Sequence, residues 1–200
     1  MEDTATTTVR PSAVRQRILG AARRRFYRDG IRTVSADRLI ADAEVSKMTF
    51  YRHFRSKDDL VVAYLNEVVA EERAALAEAH RTHPDDPAEV LRAYARRVGA
   101  LTCAEGFRGC AFLNAAAEYA DPTHPVRTVV ATHRAWLRGE LARVLTDLGV
   151  APERADEAAA QLQMLRDGAM VAGTLDADPV RVAQRLVDAG ESVVRDALRG

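Results

Sequence analysis

Between Lys47 and His53 the chain gathers Lys47, Thr49, Tyr51, Arg52 and His53 into one short stretch. These side chains suit a polyanion. Lysine and arginine donate to guanine edges or phosphate oxygens, and a threonine methyl can touch the methyl of thymine. Tyrosine and histidine donate to phosphates, which sets register without reading sequence. The expected division is Lys47, Thr49 and Arg52 toward bases, with Tyr51 and His53 toward phosphates. Lys57 adds a cation in the first turn of the next predicted helix, where backbone amides already favour an anion. Catalytic chemistry has no comparable support. The sequence contains no Gly-rich phosphate loop, nucleophile elbow or paired metal-ligand motif, so no enzyme activity, cofactor or metal is expected.

Holding such residues outward requires two short helices crossing steeply around a tight turn. Ser35 can cap the first and Ser46 the second. Leu39, Ile40, Val45, Phe50 and Phe54 are spaced as apolar pegs, and Ala43 or Ala41 is small enough for the crossing. A helix from Ser12 to Asp29, stopped by Gly30, presents Val14, Ile18, Ala21, Ala22 and Phe26 to them. Ser56 caps a fourth helix whose stripe of Leu60, Tyr64, Val68 and Leu76 runs to about Arg81. Beyond the His83–Pro87 loop, breaks at Gly106, Gly109, Pro122, Gly149 and Pro179 delimit five more helices. No segment alternates as a strand does. The fold expected is all-α, about nine helices, with a three-helix head and a helical body.

The formal net charge of zero hides an asymmetry. Residues 1–57 carry 13 Lys+Arg against 6 Asp+Glu, and residues 58–200 carry 16 against 23. A basic head on an acidic body points to an anionic partner for the head alone; the plain alternative is a solvated basic face on an ordinary bundle. The expected domains are a disordered arm at 1–11, a DNA-binding head at 12–57 and a body at 58–200. No apolar run is long enough to span a membrane, and the polar, Thr-rich start has no signal-peptide core. A cytoplasmic protein is expected. Cys103 and Cys110 are too few for a disulfide scaffold; buried inert thiols are the ordinary reading and a redox switch the sharper one. His80 and His83, with Asp85 and Asp86 nearby, similarly suggest a metal site only weakly.

The run from Val45 to Leu60, VSKMTFYRHFRSKDDL, resembles the recognition-helix signature of TetR-family transcriptional regulators, and the likeness extends back through Ile18 to Gly30. The resemblance implies a homodimer that represses transcription and releases its operator on binding a small molecule. By position, Ser35, Lys47, Thr49, Tyr51, His53 and Lys57 match places where family members commonly touch DNA; Arg52 is added from its expected exposure. Glu44 departs from the family pattern, standing in the turn where glycine is common. If that residue needs positive φ, a side chain there costs about 1 kcal/mol.

For the body, the resemblance implies a four-helix dimer interface from the last two helices. Val182, Leu186, Val193 and Ala197 give the last of them an apolar face, and Ala155, Ala158, Ala159 and Ala160 permit close approach on the other. The same resemblance places an effector pocket among the fourth to eighth helices. Tyr64, Tyr94, Phe107, Cys110, Phe112, Leu113, Tyr119, Trp136 and Met164 are candidate lining, with Asn114 and His133 as polar anchors or else as structural polar residues. The effector expected is a small lipophilic or aromatic molecule. A constitutive DNA-binding protein whose body only dimerises is the alternative.

Overall fold

The computed structural model describes residues 12–199; the arm expected at 1–11 lies outside the described residues. Among them are nine helices and no strand: α1 (Ala13–Asp29), α2 (Ala36–Asp42), α3 (Lys47–His53), α4 (Lys57–Thr82), α5 (Pro87–Thr102), α6 (Ala111–Glu118), α7 (Pro125–Asp147), α8 (Pro152–Leu175) and α9 (Pro179–Arg199). Local chemistry sets most of these boundaries. Ser12, Ser35 and Ser46 each accept a backbone N–H three residues on, and Ser56, Asp86 and Asp178 do the same for α4, α5 and α9. Proline opens α5, α7, α8 and α9, where its missing N–H leaves no helical bond unmade. Before α7 the cap is His124, whose Nδ1 accepts from the Val126 N–H at 3.2 Å.

The chain divides into two compact units between Tyr64 and Leu65. That boundary lies inside α4. Leu60, Val61 and Tyr64 of its first turns are buried, and the Tyr64 ring meets Phe26 at 5.9 Å. These turns therefore complete the head's core with Ile18, Leu19, Leu39, Phe50 and Phe54. In the body, α7, α8 and α9 pack successively and α5 lies against α9. The α5–α9 approach is close because of Gly99, where a Cβ would stand 2.7 Å from that of Ala183. No described helix is long and apolar enough to cross a membrane.

Candidate functional site

The side chains of α3 are sorted by their burial. Phe50 is fully buried and Phe54, just past the helix, nearly so. At about 100° per residue, Lys47, Tyr51, Met48 and Arg52 then form one continuous arc facing solvent. Met48 is 81 % exposed and Tyr51 40 %; Lys47 and Arg52 are exposed, while Thr49 and His53 flank the buried edge and are half-buried. Tyr51 is held by an edge-on contact with Phe50 at 5.3 Å. The Thr49 hydroxyl accepts from Ser46 Oγ at 2.9 Å, which orients its methyl from the helix cap. Lys47 Nζ lies 3.8 Å from Asp37, but both side chains are well exposed, and such a pair is weak. Ser35 is occupied as the α2 cap, and Lys57 is half-buried at the start of α4. Met48 was not among the sequence candidates, although its place off the peg face already marked it as exposed.

The turn ahead of α3 is built on Glu44. Its φ is 51°, and it is the one described non-glycine residue with positive φ. Its N–H donates to Ala41 O at 3.1 Å, and that of Val45 donates to Ile40 O at 3.2 Å. This paired closure ends α2 in a left-handed residue that normally favours glycine. Arg17 of α1 braces the turn by donating to Ala43 O at 2.8 Å. The small residue at the crossing is Ala43, which is fully buried, whereas Ala41 is exposed.

Some of the head's positive charge is spent internally. Arg25 donates through two nitrogens to Asp42, tying α1 to α2, and also to Asp29. Those contacts hold Asp29 down at about 2, through Arg28 first and Arg25 second. Arg15 sits over the Phe54 ring at 4.9 Å. The outward arc on α3 keeps its donors free of comparable ties: Arg52 has no ion-pair partner among the described residues.

The body buries a polar cluster that sequence reasoning did not assemble. Glu72 of α4 accepts from the Tyr94 hydroxyl of α5 at 2.7 Å and from Arg166 Nη2 of α8 at 3.4 Å. Its other oxygen lies 3.0 Å from His133 Nε2 of α7. His133 is 2 % exposed and stacks on Phe112 at 3.8 Å. The Glu72 approach is within ion-pair range, but neither ring nitrogen reaches hydrogen-bond geometry. Arg166, 5 % exposed, donates through Nη1 to Cys110 Sγ and Asp167 at 3.1 Å each, and its Nε has no acceptor. Asp167 also pairs with Arg134. Burial pushes the Glu72 carboxyl up, but His133 and the Arg166 charge outweigh it and hold it at about 2. Burial and the neighbouring Glu72 charge push the Tyr94 phenol up, so it stays a donor.

Beside this cluster, α5, α7, α8 and α9 line a half-open cavity of about 310 Å³. Its wall is mostly aliphatic, with Leu91, Val98, Leu141, Leu162 and Leu186, and it includes Tyr94 and the charged Arg166, Arg92, Arg195 and Glu191. A cavity of this kind, apolar with a few polar groups, falls at the lower end of the about 300–1,000 Å³ usual for small-molecule sites. A separate open groove runs between α8 and α9, lined by Met164, Leu165, Ala172, Val182 and Val193.

Both the head and most of the chain have known counterparts. Residues 18–64 match the family model of bacterial regulatory proteins, tetR family. A TetR-family transcriptional regulator from Streptomyces coelicolor is 42% identical, with a TM-score of 0.88, covering 93% of this chain and 96% of that one. The chain belongs to the TetR family of transcriptional regulators. It is thus a DNA-binding regulator and not an enzyme. A TetR transcriptional regulator from Streptomyces avermitilis is 31% identical with a TM-score of 0.73, over 90% of this chain and 99% of that one. One from Legionella pneumophila, 19% identical with a TM-score of 0.77 over 90% and 98%, shares the fold. Among curated protein sequences none matches the chain.

In this TetR-family chain the eleven residues expected to line an effector pocket are dispersed. Tyr94 alone of them is in the cavity wall. Tyr64 belongs to the head core. Phe112 and His133 stack on each other, and Trp136 lies between His133 at 5.6 Å and the Arg73 guanidinium at 4.9 Å. Cys110 is buried against Arg166. Asn114 is exposed and donates to Arg108 O at 2.8 Å, a local tie and not a free anchor. Phe107 and Leu113 are half-buried, Tyr119 tilts against His124 at 4.5 Å, and Met164, 71 % exposed, belongs to the α8–α9 groove. The aromatic residues are used to pack helices, so aliphatic residues form the cavity. Cys103 is exposed and Cys110 buried, both as free thiols. His80 Nε2 meets Arg143 at 2.8 Å, and no group of three or more His, Cys, Asp or Glu among the described residues is placed to hold a metal.

Proposed function

We propose that the protein is a homodimeric repressor released from its operator by a small apolar molecule. The cavity in the body carries this reading: four helices of the body line it, and the reading face on α3 belongs to the head. In the head, Lys47, Met48 and Arg52 address bases, with Thr49 at the edge, while Tyr51, His53 and Lys57 address phosphates and Ser35 approaches the backbone from the α2 cap. Dimerisation uses α8 and α9. Met164, Val171, Leu175 and Val180 are large apolar side chains left exposed there, more than a monomer surface ordinarily concentrates on two adjacent helices. Two heads on half-sites about 34–36 Å apart bind with an affinity that one head lacks.

The test has two arms. Genomic DNA fragments selected on the protein define the operator, and a thermal-shift screen on the free protein finds cavity ligands. Compounds that raise Tm are expected to weaken operator binding. If stabilising compounds leave operator affinity unchanged, the body dimerises without sensing and the protein is a constitutive DNA binder.

A further inference from the structure

Two of the donors that hold Glu72 stand in the cavity wall. Tyr94 and Arg166 both line the cavity and both donate to the same Glu72 oxygen. Their arrangement is already a carboxylate site, occupied by a side chain of the protein. We propose that the cavity takes an amphipathic carboxylate, with its tail among the aliphatic side chains and its anionic head replacing Glu72 on Tyr94 and Arg166. This rests on the effector reading above and specifies its chemistry.

Charge balance favours exchange over simple addition. Glu72 already takes the Tyr94 and Arg166 donors on one oxygen and faces His133 with the other, so a second anion beside it would meet a carboxylate and be repelled. If Glu72 swings out, the incoming carboxylate restores the same balance. The exit is short: the Glu72 side chain is already 11% exposed. The 3.4 Å contact between Glu72 and Arg166 is long for a charge-assisted bond, and Arg166 Nε has no acceptor, so the guanidinium retains donor capacity for a better-placed head group. A neutral alcohol cannot replace a charge, and an ammonium would meet Arg166 directly. The exchange also gives the ligand a mechanical consequence. Glu72 lies on α4, the helix whose first turns complete the head's core, so the ligand removes two of the ties between α4 and the body.

Octanoate, octanol and octylammonium share a tail and differ in the head, which makes them suitable probes of the full-length protein. At neutral pH octanoate should bind at least tenfold more tightly than the other two by calorimetry. Glu72→Gln removes the competing anion and should tighten octanoate a further tenfold while leaving octanol unchanged. Tyr94→Phe keeps the ring and removes one donor, so it should weaken octanoate selectively. Equal binding of octanoate and octanol, or a Glu72→Gln variant that melts normally yet gains no affinity for octanoate, overturns the exchange and leaves the effector cavity standing. Absence of binding by all three, in wild type and Glu72→Gln alike, overturns both.

Discussion

In the head, the buried side chains come from Ile18, Leu19, Phe26, Leu39, Phe50 and their apolar neighbours; in the body, Thr102, His133, Gln163 and Arg166 are buried among them. Among the described residues the head buries no charge fully: Arg25 ties α1 to α2 from a half-buried position, and α3 presents its donors to solvent. The body turns the Arg166 guanidinium, the Glu72 and Asp167 carboxylates and the His133 imidazole inward, with Arg134 reaching Asp167 from a more exposed position. The difference teaches where each unit keeps its function. A surface that meets a polyanion needs solvated, movable cations over a rigid apolar support, and phosphate binding then releases counterions. A buried charge network costs desolvation and is stable only while every partner is in place. It therefore responds to a molecule that takes one partner away.

The sharpest way to break this comparison is to remove one charge from each unit. Arg166→Ala leaves Glu72 buried beside a lost guanidinium and should destabilise the protein by about 3–5 kcal/mol, read as a large fall in Tm. Arg25→Ala breaks half-buried pairs with Asp42 and Asp29 whose charges keep contact with water, and should lower Tm by clearly less. Equal losses would show that the two networks do not differ in kind. Acid titration tests the same point by another route. The Glu72 carboxyl is held at about 2 in the folded state, below its ordinary value of about 4.3. Its contribution is therefore complete above about pH 4.3 and lost as pH falls through about 2. In Glu72→Gln, urea stability should vary less steeply with pH across that window than in wild type.

On the reading face, Lys47→Ala combined with Tyr51→Phe should weaken operator binding at least tenfold, with a salt dependence shallower by about one ion if Lys47 meets phosphate. Tm should be nearly unchanged, because neither side chain supports the core. A folded double variant of full affinity would move the reading face elsewhere. The smallest effect compares two equivalent turns. Gly149 ends α7 with φ 100° and the same paired closure that Glu44 makes after α2, the Val150 N–H reaching Leu145 O at 3.0 Å. Glu44→Gly should stabilise by up to about 1 kcal/mol, and Gly149→Ala should destabilise by about as much. A Cβ at residue 149 would meet no atom within 4 Å, so the second value measures backbone strain alone. If Glu44→Gly also tightens DNA binding, the acid in this turn repels phosphate.

Helix ends, most peg positions of the head and the exposure of Lys47, Tyr51 and Arg52 on α3 were legible in the residues themselves, whereas Thr49 and His53 are half-buried. Each depends on chemistry within about four positions: a serine oxygen three residues before an N–H, a proline where no N–H is needed, apolar residues one turn apart. Even the problem at Glu44 was visible, because the turn requires a conformation that side chains disfavour. The body's polar cluster was not legible. Glu72 and Arg166 stand 94 positions apart in the sequence, and only packing of α4, α5, α7 and α8 brings them together and excludes water. The same packing decided that Phe112, His133 and Trp136 support one another and that the cavity lies instead against α9. Sequence alone determined where the helices are and which face of α3 is exposed, since those follow from local bonds and periodicity. Tertiary structure decided which charges are buried together, since burial is a property of the assembled helices and of no single segment.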